Sequence, residues 1–600
     1  MSAPAWLSDS ALRSGGPVGL VKAIERVLWH LRFSDVRAID GAGDRGADIL
    51  AVRNNEEWVI QCKWSLNGAI DAAGVNEVNE AFAYYRAERA VLVTNTDLTR
   101  PARARAEELK RLGLKIDVWN GASLEAIGSA MFDRVPNRHD VRDYQKTAVE
   151  AIERDLGNNQ KALLVLATGL GKTVVGGYVI SSLLNRNPGA RILILSHLKE
   201  LSAQLERAMW YHLSKKVHTN LLTGEATPAN FDGVLAATIE SALGAIHEGY
   251  LPHLIMIDEA HHVGENSRYR ELLDLVPGVP YFGVTATPWR GDEFDLSSVF
   301  GEASYKMGIA EGMARGWLSE VDYRMYVDDI DWELVRSESE NGYSIGELNS
   351  RLFLPQRDAR ILDELRNVWM STIEPRAIVF CRTIAHAEEF ARLLRQNNPE
   401  WNNASALHSG VSSLRRNILL NQFKLGRAPI LTCVDVLNEG VDVPDVNIIA
   451  FLRVTHSRRI FVQQLGRGLR LAPNKHRLKV LDFVTDVRRV AATLKLRREI
   501  DGETERLNLN PAVASEITFS DRTIGTLLDH WLKDAADVEY SGEDVRLQFP
   551  PELRCERKDS SDGHWEDASK SSRGRVTYDP SSCSRSGLGG LNLRGALCYL

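Results

Sequence analysis

"LLVLATGLGKTVVGG", residues 163 to 177, decides what kind of sheet this chain builds. An apolar run short enough for a buried strand ends in a glycine-rich turn, and a helical pattern follows. The turn carries Thr168, Gly169, Gly171, Lys172 and Thr173. Its glycines let backbone N–H groups wrap a phosphate; Lys172 brings charge to the β- and γ-phosphates, and the Thr173 hydroxyl can hold magnesium. Leu166 stands where the general GxxxxGK[ST] pattern has its first glycine. Taken alone, the loop is therefore also compatible with an ordinary glycine-rich turn, and its partners along the chain must decide.

Those partners are present. "LIMIDEAHH" (254–262) puts Asp258 and Glu259 at the C-terminal end of a second apolar strand, where carboxylates face the ligand crevice of an open α/β sheet. Asp258 suits a magnesium-associated acid, and Glu259 suits the base that orients an attacking water. "YFGVTATP" (281–288) brings Thr285 and Thr287 to a third strand end. Further on, "FVQQLGRGLR" (461–470) places Arg467 and Arg470 on one helix face, from which arginines can reach γ-phosphate charge across a cleft. Together these residues predict an ATPase.

A chain of 600 residues is too long for one core, and about three to five domains are expected. With 44% hydrophobic and 26% charged residues it has the composition of a soluble globular protein. The net charge of -7 leaves no global footprint for nucleic acid, although a local basic groove would suffice. Basic segments that could serve are "RPARARAEELKR" (100–111) and "RVTHSRRIF" (453–461). Cys62, Cys381 and Cys433 lie in apolar runs and no CxxC pair occurs, which argues against a zinc or disulfide framework. There is neither a bilayer-length apolar run nor a secretory leader, so a cytoplasmic location is expected.

Residues 15–130 read as a complete small α/β domain, followed by the polar stretch "DRVPNRHDVRD" (133–143), which predicts a front domain that folds apart from the rest. Apolar strands alternate with helices over 131–310 and again over 361–494, giving two tandem parallel-sheet domains. Residues 311–360 read as a polar connector and 495–555 as an accessory region with one amphipathic helix. From 556 to 600 the chain is Ser/Arg/Gly-rich and aperiodic, and disorder is expected. Within the front domain, "GDRGADILAVRNNEEWVIQCKW" (43–64) predicts a β-hairpin with Asp48 on one arm and Gln61 and Lys63 on the other. Strand alternation turns Gln61 and Lys63 to one face and Cys62 to the opposite one. A metal held by carboxylates plus a lysine is the equipment of phosphodiester hydrolysis, and Glu25 on the preceding helix could add a second acid. A solvated salt-bridged hairpin is the plainer alternative.

Residues 138 to about 490 resemble a superfamily-two helicase core with a DEAH-type second motif. By that resemblance "VRDYQKTAV" is the adenine-recognition segment, with Gln145 reading the base, and "ILILSHLKELSAQ" and "VLAATIESAL" contact the nucleic-acid strand, with Thr238 on phosphate. "TCVDVLNEGVDVPDV" would bring Gly440 and Asp442 near the nucleotide, and Gln463, Arg467 and Arg470 match the sixth motif. The hairpin and the stretch "AYYRAERAVLVTNTDLTRPARARAEEL" (83–109) resemble the Mrr-type restriction endonuclease domain. That implies a PD-(D/E)xK nuclease fold, a mixed sheet flanked by helices, in which Asp48, Gln61 and Lys63 form the catalytic set and Asp48 and Gln61 hold Mg2+. Gln61 then offers a carbonyl oxygen without charge. The expected whole is an α/β chain with a nuclease domain followed by two RecA-like domains: an ATP-dependent helicase or translocase on duplex DNA that also cuts it. Restriction or phage defence, with further defence or restriction subunits, is the expected setting. A repair helicase whose front domain only binds DNA, and an RNA remodeller, are the alternatives.

Overall fold

The computed structural model of the protein describes residues 2–39, 46–136, 140–228, 230–264, 267–286, 295–326, 357–381, 383–434, 446–452, 468–469, 471, 477–483 and 516–519. They form three sheets, each flanked by helices. The first consists of β1 (Ser34–Ala38), β2 (Ile49–Arg53), β3 (Glu56–Lys63), β4 (Arg89–Thr94) and β5 (Ile116–Trp119), in that spatial order. The β1–β2 and β2–β3 pairs are antiparallel, and β3–β4 and β4–β5 are parallel. Asn54 and Asn55, both with positive φ, make the two-residue turn that sets the β2–β3 register. Trp58 and Ile60 face a core shared with the helix Gly16–His30, whereas Val59 faces the helices Ala72–Tyr85 and Arg100–Arg111. By alternation Gln61 and Lys63 share the face of Val59.

The second sheet is parallel throughout, with spatial order β12-β6-β11-β10-β7-β9-β8. Its strands are β6 (Lys161–Leu166), β7 (Ile192–Ser196), β8 (Thr219–Leu222), β9 (Val234–Thr238), β10 (Leu254–Asp258), β11 (Tyr281–Thr285) and β12 (Tyr305–Met307). The third contains β13 (Glu320–Tyr326), β14 (Ala377–Phe380), β15 (Ser405–Leu407), β16 (Ile430–Cys433), β17 (Ile448–Phe451), β18 (Arg477–Phe483) and β19 (Glu516–Phe519). Its order is β15-β16-β14-β17-β18-β13-β19, with only β19 antiparallel. Apolar strand centres buried on both faces account for the continuous Val/Ile/Leu runs of β6, β7 and β10.

The structure corrects two expectations. The stretch read as a connector supplies β13, which lies beside β18 and buries Val321 and Tyr323, with the Tyr323 hydroxyl donating to Asp482. Alternation with Glu320, Asp322 and Arg324 masks it as a polar segment. The accessory region supplies β19, which closes the same edge.

The front domain does not hang on a free polar linker. Residues 133–135 of that linker are packed: Val135 N donates to Trp210 O at 3.1 Å, and Ser214 Oγ donates to Asp133 Oδ1 at 2.7 Å. Lys215 is wholly buried, its Nζ donating to Gly128, Ser129 and Met131 carbonyls at 2.8, 3.1 and 3.0 Å, so it caps the helix Gly121–Ala130 from the second-sheet domain. Arg26 donates to Val217 O at 3.0 Å and stacks on Trp6 at 4.5 Å, while Lys22 pairs with Glu206 at 3.0 Å. On the other side Glu57 of β3 accepts from Arg427 and Asn421 of the third-sheet domain at 3.0 and 3.2 Å. Polar residues carry this junction, which is why it reads as linker in the sequence.

Candidate active sites

Parallel pairing brings the C-terminal ends of β6, β10 and β11 to one edge of the second sheet, the edge at which open α/β sheets bind ligands. The loop after β6 turns through Gly169 and Gly171, both with positive φ, and the helix Lys172–Arg186 starts at Lys172. At Gly171 a Cβ would also lie 2.6 Å from Gln145 Nε2, so both backbone and space demand glycine there. Lys172 Nζ is 3.0 Å from Glu259 Oε1, with both side chains largely sheltered. Asp258 is buried. Burial and the neighbouring Glu259 carboxylate push it well above the ordinary carboxylate range, against the pull of Lys172. Thr168 and Thr173 are half-buried at the loop. Thr285 ends β11 fully buried, in contact with His261, whose Nδ1 lies 3.0 Å from Thr285 Oγ1 and 3.4 Å from Glu259 Oε2. His261 thus ties the second strand end to the third. It is the histidine of the DEAH-type motif, and its contacts follow from the packing of β11 beside β10 rather than from the motif.

Gln145 sits under the loop with its amide engaged: Nε2 donates to Leu170 O at 3.0 Å, and Oε1 accepts from Arg142 N at 3.0 Å. In this arrangement it braces the phosphate loop. Thr238 caps the end of β9, its Oγ1 donating to Ser241 Oγ at 3.0 Å. Gly440, Asp442, Gln463, Arg467, Arg470 and Thr287 lie outside the described residues.

In the first sheet Asp48 immediately precedes β2, and its backbone continues the ladder, N donating to Ile60 O at 2.9 Å. Its Oδ2 accepts from Cys62 N at 2.5 Å, which lays the carboxylate across β3 between Gln61 and Lys63. Gln61 is 6% exposed, and its Oε1 is buried without a hydrogen-bond partner among the described residues. A buried carbonyl oxygen left in that state is costly unless a hydrogen-bond donor or a cation engages it, and oxygen ligands are what magnesium takes. The donor set of Asp48 and Gln61 therefore fits a divalent cation. Among the described residues no group of three or more His, Cys, Asp and Glu side chains is placed to hold a metal. Lys63 forms an ion pair with Glu77 of the helix Ala72–Tyr85, a residue the sequence reading did not single out. Glu25 is not brought to this group. Its helix covers the opposite face of the sheet, and its Oε1 accepts from Arg207 at 2.9 Å across the junction. Of the basic helix 100–111, Arg103, Arg105 and Lys110 are paired with Asp97, Glu108 and Glu107; residues 453–461 lie outside the described ones.

Three family matches fall in the same order along the chain. Residues 12–127 match the restriction endonuclease family of the Mrr catalytic type, 138–290 the res subunit of type III restriction enzymes, and 356–472 the helicase conserved C-terminal domain. The chain joins an Mrr-type nuclease domain to a superfamily-two helicase core. The helicase core is 28% identical over 359 residues to the "Putative ATP-dependent helicase IRC3" of Saccharomyces cerevisiae, covering 57% of this chain and 51% of that one. It is 25% identical over 409 residues to the type I restriction enzyme EcoKI endonuclease subunit of Escherichia coli, covering 57% of this chain and 34% of that one. The chain thus spans about half the length of the first relative and a third of the second. A solved structure of the ATP-dependent Type ISP restriction-modification enzyme LlaBIII bound to DNA aligns with 88% of this chain and 39% of its own, at 18% identity and TM-score 0.49. Among the described residues no helix is long and apolar enough to cross a membrane.

Proposed function

We propose that this protein is an ATP-driven motor on duplex DNA that carries its own magnesium-dependent nuclease and works in restriction or phage defence. One observation carries the reading: the same chain holds an Asp48–Gln61–Lys63 group with an orphaned buried carbonyl oxygen and a Lys172–Glu259 phosphate crevice, with the two domains locked together. At the crevice, backbone amides of residues 169–173 and Lys172 bind the ATP phosphates, while Thr173 and Asp258 take the accompanying Mg2+. A γ-phosphate competes with Glu259 for Lys172, and the carboxylate so released orients the attacking water. Gln145 holds the loop in shape and reads adenine; Arg467 and Arg470, with Gly440, Asp442 and Gln463, complete the site from the second lobe.

At the nuclease site Asp48 and Gln61 hold a divalent cation, which when bound supplies Lewis acidity at the scissile phosphate. Lys63 stabilises the charge that develops there. Restriction motors assemble with further subunits, and such partners together with a cytoplasmic setting complete the proposal. Plasmid DNA incubated with the protein, ATP and Mg2+ tests it: linear or nicked product dependent on Mg2+ and abolished by Asp48→Ala is expected. Intact plasmid under all ATP and Mg2+ conditions, with methylated and unmethylated substrates, would refute the nuclease half.

A further inference from the structure

Replacing a second acid by Gln61 leaves the nuclease site with a charge problem. Asp48 is anionic and Lys63 is cationic, and Gln61 contributes no charge. These three alone cancel, so they offer a divalent cation little electrostatic attraction. A further carboxylate lies on the same face. Glu77 extends from the helix Ala72–Tyr85 onto the Gln61/Lys63 face of β3 and pairs with the Lys63 ammonium.

Gly46 lies at the centre of this arrangement. A Cβ there would lie 3.0 Å from Glu77 O, 3.1 Å from Glu77 Cβ and 3.3 Å from Gln61 Oε1, so Gln61 and Glu77 converge on one spot from strand and helix. Gly74, one turn earlier on that helix, is tight against Ile70, whose Cγ2 would lie 2.8 Å from a Cβ there, and is in ordinary contact with the Lys63 stem at 3.5 Å. The Lys63 stem thus lies along the helix, and its ammonium reaches Glu77. The pair is only half sheltered, and an ion pair of that kind adds little stability. A tight glycine at position 46 and an orphaned carbonyl beside the pair have no structural return of comparable size.

We propose that Glu77 is the second acid of the nuclease site, supplied from the helix rather than from the strand. One carboxylate oxygen positions Lys63, and the other faces the cation held by Asp48 and Gln61. The site becomes net anionic, and Lys63 is kept beside the scissile phosphate without driving the cation away. This rests on the nuclease reading, and the test separates the two.

Mn2+ binding to the full chain is measured by titration calorimetry without nucleotide or DNA, the site's share being the binding that Asp48→Ala removes. Glu77→Gln, nearly isosteric, is expected to weaken that share at least about tenfold. Lys63→Met, which leaves both carboxylates and removes the cation, is expected to strengthen it several-fold. A Glu77→Gln protein that binds within twofold of the parent, or a Lys63→Met protein that does not bind more tightly, overturns the role of Glu77 and leaves the Asp48 site standing. Absence of any Asp48-dependent binding overturns both the role and the site.

Discussion

At the scale of single residues the two proposed chemistries draw on separate side chains, which makes them separable by substitution. Lys172→Ala removes the only loop cation and also releases Glu259. ATP turnover should fall by about a hundredfold or more, measured as DNA-stimulated phosphate release, because a charge aimed at the phosphates has been lost. Glu259→Gln should bind nucleotide normally yet hydrolyse it slowly; equal loss of binding and turnover would show that the carboxylate is structural. Asp48→Ala should abolish Mg2+-dependent cutting and leave ATPase within about twofold, since Asp48 contacts β3 and not the crevice. The sequence singled out Asp48, Gln61, Lys63, Lys172, Asp258 and Glu259 as candidates because each sits beside a strand or loop whose pattern fixes its direction. It singled out neither Glu77 nor the contacts of His261. A helix glutamate is one of several on its surface until the ion pair with Lys63 selects it, and the contacts of His261 emerge only when β11 is laid beside β10.

At the scale of elements, apolar runs announced the central strands β6, β7, β9, β10, β14, β16 and β17, because burial on both faces leaves few polar positions to confuse the pattern. The edge strands β8, β12 and β15 were not legible: they run only three or four residues, and pairing on one side holds them. β13 was hidden by its polar alternate positions. The same failing concealed the junction, where the helix Gly121–Ala130 ends on a lysine from another domain. Lys215→Met should leave three buried carbonyls without their donor and cost about 3 kcal/mol or more. Chemical denaturation followed by tryptophan fluorescence would read this directly through Trp210 and Trp6, which line the junction. A midpoint unchanged from the parent would mean that solvent reaches those carbonyls.

At the scale of the whole molecule, the nuclease domain is held by both helicase lobes, through Lys215 and Arg26 on one side and Glu57 with Arg427 on the other. Removing it would expose Trp210 and strand Lys215, so a motor truncated ahead of residue 131 should be less stable than the full chain, contrary to what the polar linker suggests. The junction also carries an acid sensitivity. His30 is fully buried with its Nδ1 2.9 Å from Phe132 O; burial, then the Arg26 charge, draws it down to about 4 from 6.5. His212 is drawn down to about 4 by burial, then by Arg134, and packs against Gly177. Both are neutral in the folded protein and titrate near 6.5 when unfolded, so the unfolded chain binds more protons between about pH 6.5 and about pH 4. Their stabilising effect is complete above the unfolded value and is lost as pH falls through that window. Thermal unfolding should therefore drop steeply from pH 6.5 to about pH 5, before most carboxylates titrate. A His30→Gln, His212→Phe double variant, which keeps the ring packing at Gly177 and the polar contact at Phe132, should show a much shallower drop. If parent and double variant lose stability in parallel over that range, the acid sensitivity lies elsewhere than the junction.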